Sequence, residues 1–167
     1  MFLEDDSYAM RIIELLTNIG YEVDHADNLL DLYWFMELDP DKKTYDAVIL
    51  DIALPGERII LAEEEIEIVL GDDIQPGDNN YYIEYNDHQN MNGYEYFKRK
   101  KDNILADYIK NKRFAFYSAF IFTLENHAKN DGLDDVIKNI KNFDKSSKNI
   151  VNDMLQWLNE LPLGDKI

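Results

Sequence analysis

Apolar and polar residues in the first fifty positions follow two spacings in turn, and together they predict a β-α-β-α-β order. Short apolar runs at 1–3 and 45–50, and a run at 21–26 in which apolar and polar residues are mixed, are typical of strands. Apolar residues three and four positions apart predict helices at 7–20 and 28–39. Strands that alternate with helices favour an α/β fold with a parallel sheet and helices on its faces.

Residues 57–90 interrupt this order. Alternation with a period of two recurs at 65–70 and 81–85, and the turn-forming stretch 71–80 lies between them. We therefore predict a β-hairpin inserted into one domain that spans residues 1–167. Two interpretations of residues 57–90 stay open: a decorative hairpin, or a lid or docking surface beside the preceding strand.

The helical spacing returns after Asn92-Gly93 and is followed by another α/β alternation. The predicted elements are a helix near 94–112 (continuous or broken near 102–103), a strand at 114–118, a helix within 126–132, a strand at 136–143 and a last helix capped by Ser146 or Ser147.

Composition and charge narrow the class of protein. The chain has 34 acidic and 17 basic residues and a formal net charge of -17, which disfavours binding to nucleic acid or to anionic membranes. A mimic of nucleic acid is an alternative, but a solvated surface explains the charge more simply. The absence of cysteine excludes disulfides and thiolate chemistry. With acid from Glu4 onward and no apolar run longer than 114–122, we expect a cytoplasmic protein.

Candidate chemistry lies where the predicted strands end. Asp51 ends the third strand, Glu4 and Asp5 follow the first, and Ser118 and Lys145 follow the last two. The carboxyl ends of parallel strands share one edge of a sheet, so these side chains could converge. Clustered carboxylates repel one another unless a cation is present, and oxygen ligands without His or Cys suit Mg²⁺.

These residues resemble the receiver domain of bacterial two-component response regulators, and the resemblance covers nearly the whole chain except the insertion at 57–90. The matching stretches are Leu3-Glu4-Asp5-Asp6, Tyr45-Asp46-Ala47-Val48-Ile49-Leu50-Asp51, Leu54-Pro55-Gly56, Asn92-Gly93-Tyr94-Glu95, Ser118-Ala119 and Lys145. The resemblance implies a doubly wound, five-stranded parallel sheet of the flavodoxin-like, receiver type, with helices on both faces and the hairpin inserted.

The resemblance also implies a role for each candidate residue. Asp51 would accept a phosphoryl group from a histidine kinase or a phosphotransfer protein. Lys145 would neutralise phosphoryl oxygens, and Ser118 would hydrogen-bond the new group, with Thr123 as a rival hydroxyl. Four residues would hold Mg²⁺: Asp5 and Asp51 directly, Ala53 through its backbone carbonyl and Glu4 through a water.

Three functions remain open on the sequence. The first is a stand-alone phosphoacceptor switch with no output domain, acting through protein–protein contacts or as a homodimer. The second is a receiver-like interaction module that does not depend on phosphorylation. It is favoured by the insertion, by Ser146 where the family usually has proline, and by Asn142 where it often has an aromatic residue. A Mg²⁺-dependent phosphohydrolase is disfavoured, because Ala53 cannot act as the general acid such enzymes need. We therefore do not expect an enzyme beyond self-phosphotransfer and autodephosphorylation.

Overall fold

A parallel sheet flanked by helices forms the centre of the protein. The computed structural model describes residues 1–3, 7–26, 29–38, 44–52, 58–61, 81–84, 92–119 and 121–162. Its strands are β1 (Phe2–Leu3), β2 (His25–Ala26), β3 (Val48–Leu50), β4 (Arg58–Leu61), β5 (Tyr81–Glu84), β6 (Phe114–Ser118) and β7 (Lys141–Asp144). The sheet has the order β2-β1-β3-β6-β7, and each neighbouring pair is parallel. The predicted α/β class with a parallel sheet is confirmed.

Seven α-helices are present among the described residues. They are α1 (Ser7–Asn18), α2 (Leu29–Tyr33), α3 (Asn92–Lys100), α4 (Ala106–Lys110), α5 (Ile121–Asn130), α6 (Asp134–Ile137) and α7 (Ile150–Glu160). The predicted helix near 94–112 is broken into α3 and α4 by a turn, as one of the two alternatives had it. No helix in the described parts of the chain is long and apolar enough to cross a membrane.

Side chains of the central strands alternate between two apolar clusters, one on each face of the sheet. Val48 and Leu50 enter one cluster, whereas Ile49 between them enters the other. The first cluster contains buried residues of α2, α3, α5 and α6, and the second contains those of α1 and α7. Burial on both faces explains why β3 and β6 are continuously apolar rather than alternating.

The second predicted helix ends in a way that its sequence did not indicate. After α2 the chain forms a π-helical turn over Trp34–Leu38. Glu37 in this turn accepts hydrogen bonds from Lys100 Nζ at 2.7 Å and from the Tyr96 hydroxyl at 3.2 Å. These contacts come from α3, so tertiary packing accompanies the wider turn.

Three predictions for the last third of the chain were wrong. The helix predicted within 126–132 is α5, Ile121–Asn130, which begins earlier and buries Leu124 and Ala128. The strand predicted at 136–143 is β7, Lys141–Asp144, and Val136 lies in α6. A single helical turn there buries Ile137 in the first apolar cluster, which accounts for its apolar pattern. The last helix is not capped by Ser146 or Ser147, since α7 follows Asn149 without a side-chain cap. Ser146 instead donates its backbone N–H and its hydroxyl to Asp144 Oδ1, at 2.8 and 2.7 Å.

Part of the insertion is described as a separate two-stranded sheet. β4 pairs with β5 in antiparallel register, from Arg58 opposite Glu84 to Leu61 opposite Tyr81. The segment 65–70, predicted as a strand, lies outside the described residues. The boundaries proposed for the domain and its insertion stay a prediction.

Candidate functional site

Asp51 lies at the carboxyl edge of the sheet, directly after the central strand β3. Leu50 pairs with Leu3 of β1 on one side and with Phe116 of β6 on the other, so the three strands run to the same edge. The apolar run of β3 carries the chain through the core, and Asp51 remains only 1 % exposed. A carboxylate this deeply buried needs a charged or hydrogen-bonding partner.

Lys145 supplies that partner. It directly follows β7, which lies two strands from β3 in the sheet. Its Nζ donates to Asp51 Oδ2 at 2.9 Å, although 94 residues separate the two in sequence. The two side chains are 17 % and 2 % exposed respectively. β6 and β7 set this geometry, because Ser118 pairs with Asp144 and the Lys145 N–H donates to the Ser118 carbonyl at 3.2 Å.

The energetics of this ion pair make it a positioning device rather than a large source of stability. At 2.9 Å and an effective dielectric constant of about 20, the Coulomb attraction is roughly 6 kcal/mol. Desolvating the two ions costs several kcal/mol each, so the net stabilisation is far smaller. Removal of one partner is costly, because the other charge then stays buried without the opposite charge that compensates it.

Ser118 completes the group of predicted residues that the described structure brings together. It is the last residue of β6, it is fully buried, and its carbonyl holds the backbone of Lys145. The rival hydroxyl, Thr123, lies within α5 instead of at a strand end. Glu4, Asp5 and Ala53, the other predicted site residues, lie outside the described residues.

Gly93 is a site residue whose role the sequence reasoning did not identify. A Cβ placed on Gly93 would lie 1.7 Å from the Asp51 carbonyl oxygen, far inside van der Waals contact. The next residue, Tyr94, donates its N–H to the Ile52 carbonyl at 3.4 Å. The start of α3 is therefore seated directly on the backbone of Asp51. The Asn-Gly pair before an amphipathic helix was the available sequence signal.

Tyr117 was also missed. The Lys145 Nζ lies 5.0 Å from the centre of the Tyr117 ring, within the range of a cation–π contact. This contact and the Asp51 carboxylate together fix where the ammonium group lies. The sequence signal was weak, namely an aromatic residue immediately before Ser118.

A polar contact ties α3 to Asp131, the residue that directly follows α5. The Tyr94 hydroxyl donates to Asp131 Oδ2 at 2.8 Å, and Lys98 Nζ lies 3.3 Å from the same oxygen. The hydrogen bond from Tyr94, followed by that from Lys98, lowers the pKa of Asp131. Burial, followed by the bond to Asp131, raises the pKa of Tyr94. The helix seated on Asp51 is thus anchored to the helix that follows Ser118.

No group of three or more His, Cys, Asp or Glu side chains that could hold a metal ion occurs among the residues that the structure describes. Of the four predicted Mg²⁺ ligands, Asp51 alone belongs to the described residues. Its carboxylate is a hard oxygen donor of the type that Mg²⁺ prefers, and it lies at the edge of the sheet where α/β proteins bind ligands.

Comparison with known proteins gives no relative from which a role could be transferred. Neither a protein-family model, nor a curated protein, nor a solved structure matches the chain. The geometry around Asp51 is therefore the basis on which a function can be inferred.

Proposed function

We propose that this chain is a phosphoacceptor signalling switch that resembles a response regulator receiver domain, with Asp51 as the acceptor. The observation that carries the proposal is the 2.9 Å contact between Asp51 and Lys145. A buried carboxylate and an ammonium group meet there at the carboxyl edge of a parallel sheet. This is an arrangement that a phosphoryl group on the carboxylate would use, because the lysine can compensate its negative charge.

The strand order supports the finer fold assignment, a doubly wound, five-stranded, flavodoxin-like sheet. If the hairpin strands are left out, β2-β1-β3-β6-β7 becomes the order 2-1-3-4-5, and apolar clusters cover both faces. In this topology the strand order reverses between the first and third strands, and ligands bind beside that point. Asp51 follows β3 at this position.

The chemistry assigned to the site is a single phosphoryl transfer. An Asp51 carboxylate oxygen attacks the phosphorus of a phosphohistidine or a small phosphodonor. A new P–O bond forms as the bond from phosphorus to the leaving group breaks, and the leaving group departs with the electron pair. Lys145 stabilises the charge of the acyl phosphate, which is about -1.5 to -2. Ser118 is assigned the role of hydrogen-bonding the phosphoryl group, which would bias the start of α5.

Mg²⁺ fits the donors proposed for this edge. Asp5 and Asp51 would hold the ion directly, Ala53 would contribute its backbone carbonyl, and Glu4 would act through a water. The ion would neutralise phosphoryl oxygens. In support, Leu3 and Leu50 are register partners in parallel strands, and Glu4 and Asp51 are the residues that follow them in sequence.

A switch of this kind implies particular partners and a cellular setting. The phosphodonor would be a histidine kinase or a phosphotransfer protein in the cytoplasm. Output would pass through protein–protein contact, with a homodimer as one form of it. No role as an enzyme is proposed beyond self-phosphotransfer and autodephosphorylation.

The test is a titration of ¹⁵N-labelled protein with Mg²⁺ and then with beryllofluoride, which mimics a phosphoryl group on a carboxylate. The proposal predicts that Mg²⁺ shifts the amide signals around Asp51, and that beryllofluoride then shifts those of Ser118, Lys145 and the first turn of α5. Asp51→Asn should abolish the second response. A wild-type spectrum that does not change with either addition would contradict the proposal.

A second candidate, a receiver-like interaction module independent of phosphorylation, is favoured by the closure of the site. The Asp51 side chain is 2 % exposed and already paired, so a phosphodonor reaches it only if neighbouring groups move. Asn142 also stands three positions before Lys145, where the family often has an aromatic residue. For this candidate, Asp51→Asn would leave the binding of a partner protein unchanged, and beryllofluoride would have no effect.

A further inference from the structure

A concave site lies at the edge of the sheet opposite Asp51, where the parallel strands begin. It is a cavity of about 570 Å³ bounded by the segment before β6, the segment before β7 and the end of α7. Because β6 and β7 are parallel neighbours, the segments that lead into them meet at this edge. The volume lies within the range of pockets for small molecules, roughly 300–1,000 Å³.

The charge of this cavity is opposite to that of the protein. Lys110, Lys112, Lys138 and Lys141 line it, and Glu160 is the single acid among its described lining residues. The whole chain carries a formal net charge of -17. Four like charges around one concavity repel one another, so their concentration here favours an anionic occupant.

Lys112 adds an independent observation, because its backbone is in the left-handed region at φ 57°. It follows α4 in a Schellman arrangement: its N–H donates to the Ile109 carbonyl at 3.1 Å, and the Arg113 N–H donates to the Tyr108 carbonyl at 2.7 Å. Glycine is the usual residue at this position of the motif. A lysine there bears a backbone strain, and strain of this kind clusters at ligand sites.

Helix capping accounts for only part of the cluster. Lys110 and Lys138 lie at the ends of α4 and α6, where cations complement the helix dipole. Lys138 also pairs with Asp134 at 2.9 Å and with Asp135 at 3.2 Å. The Schellman motif explains the backbone of Lys112 but not its positive charge, and neither role explains Lys141, which belongs to a strand.

Part of the lining of the cavity is apolar and aromatic. Phe114, Ile140 and Trp157 are among the lining residues. Lys141 Nζ lies 5.3 Å from the centre of the Phe143 ring, which packs edge-on against Trp157 at 5.5 Å. A ligand that matches both parts has a multiply charged anionic group and a planar apolar group.

We infer that this cavity binds a small phosphorylated molecule with a planar ring, which is the chemistry of a nucleoside phosphate. Lysine ammonium groups are well suited to phosphate as point charges. This inference is independent of the function proposed for Asp51, which lies at the other edge of the sheet.

ADP is the probe, added to ¹⁵N-labelled protein in EDTA so that no divalent ion bridges it to the Asp51 carboxylate. We expect saturable shifts confined to amides in 109–114, 138–141 and 157–162, with wild-type affinity in Asp51→Asn. Adenosine and pyrophosphate, each offering half of the ligand, should bind more weakly than ADP.

Three variants make the test specific. Lys112→Gly removes a charge while keeping the backbone geometry, and it should raise the Kd for ADP about tenfold, the effect of one lost charge-assisted hydrogen bond. Lys141→Gln should behave similarly. Lys129→Gln, an exposed position on α5 outside the cavity, should leave the Kd unchanged. The inference would be overturned if the shifts did not saturate, or if Lys129→Gln raised the Kd for ADP as much as Lys112→Gly does. If pyrophosphate bound as tightly as ADP, the part of the inference that concerns a planar apolar group would be overturned.

Discussion

Replacing Lys145 with methionine is the sharpest structural perturbation of the site. Methionine keeps most of the apolar stem of lysine and removes the ammonium group, so the Asp51 carboxylate loses the partner that lies 2.9 Å away. The reverse change, Asp51→Asn, keeps the shape of the acid and removes its charge. The two changes are not equivalent, because Asp51 is 2 % exposed and Lys145 is 17 % exposed.

The expected magnitudes follow from that difference. In Lys145→Met the buried carboxylate of Asp51 loses the ammonium group that compensates its charge, and breaking a buried ion pair in this way destabilises a protein by about 3 kcal/mol. In Asp51→Asn the lysine can turn its charge toward solvent, and we expect a loss of at most about 1 kcal/mol. The double variant should be more stable than the sum of the single changes predicts, with a coupling of about 1.5 kcal/mol or more.

Urea denaturation at neutral pH in EDTA measures all four free energies of unfolding. Lys138→Met is the matched control, because Lys138 forms ion pairs that are largely exposed, and we expect no measurable loss of stability. The reasoning would be refuted if Lys145→Met were as stable as the wild type, or if the coupling in the double-variant cycle were zero.

Three further predictions concern the surroundings of Asp51. Gly93→Ala should lower the free energy of unfolding by about 1–3 kcal/mol, since its Cβ would meet the Asp51 carbonyl; an unchanged urea midpoint would contradict the contact. Asp131 has a pKa lowered from 3.8, so its ionised form stabilises the fold above that pH. The difference in thermal midpoint between wild type and Asp131→Asn should therefore shrink as the pH falls below 3.8, and a constant difference would argue against the Tyr94 contact. A variant in which Gly56 is joined to Met91 lacks the insertion and should still fold, because Tyr94 contacts Ile52. If residues 57–90 act as a lid, the acyl phosphate on this variant should have a shorter lifetime than on the full chain. An equal lifetime would exclude a lid role for 57–90.

Sequence reasoning was most accurate where burial alone decides the structure. The strands that became β3 and β6 are continuous apolar runs, and few other arrangements can bury them. It was wrong at Val136, because one turn of helix buries the same apolar residues as a short strand does. The π-helical turn that contains Glu37 was unforeseen, since it accompanies contacts with Tyr96 and Lys100 from a distant helix.

The residues at strand ends could be grouped from the sequence, whereas the contacts between separate elements could not. Strand ends of a parallel sheet share an edge, so Asp51, Ser118 and Lys145 could be grouped without coordinates. The need for glycine at position 93 could not, because it depends on how closely α3 approaches one carbonyl oxygen. The lysine-lined cavity was missed as well, since its residues come from separate segments that meet only because β6 and β7 are neighbours.

The central claim, that Asp51 accepts a phosphoryl group, is tested most directly by intact-protein mass spectrometry after incubation with acetyl phosphate and Mg²⁺. The account predicts an adduct with the mass of one phosphoryl group on the wild type. It also predicts that the adduct is absent without Mg²⁺ and absent from Asp51→Asn. A wild-type spectrum with no adduct, or an equal adduct on Asp51→Asn, would contradict the account.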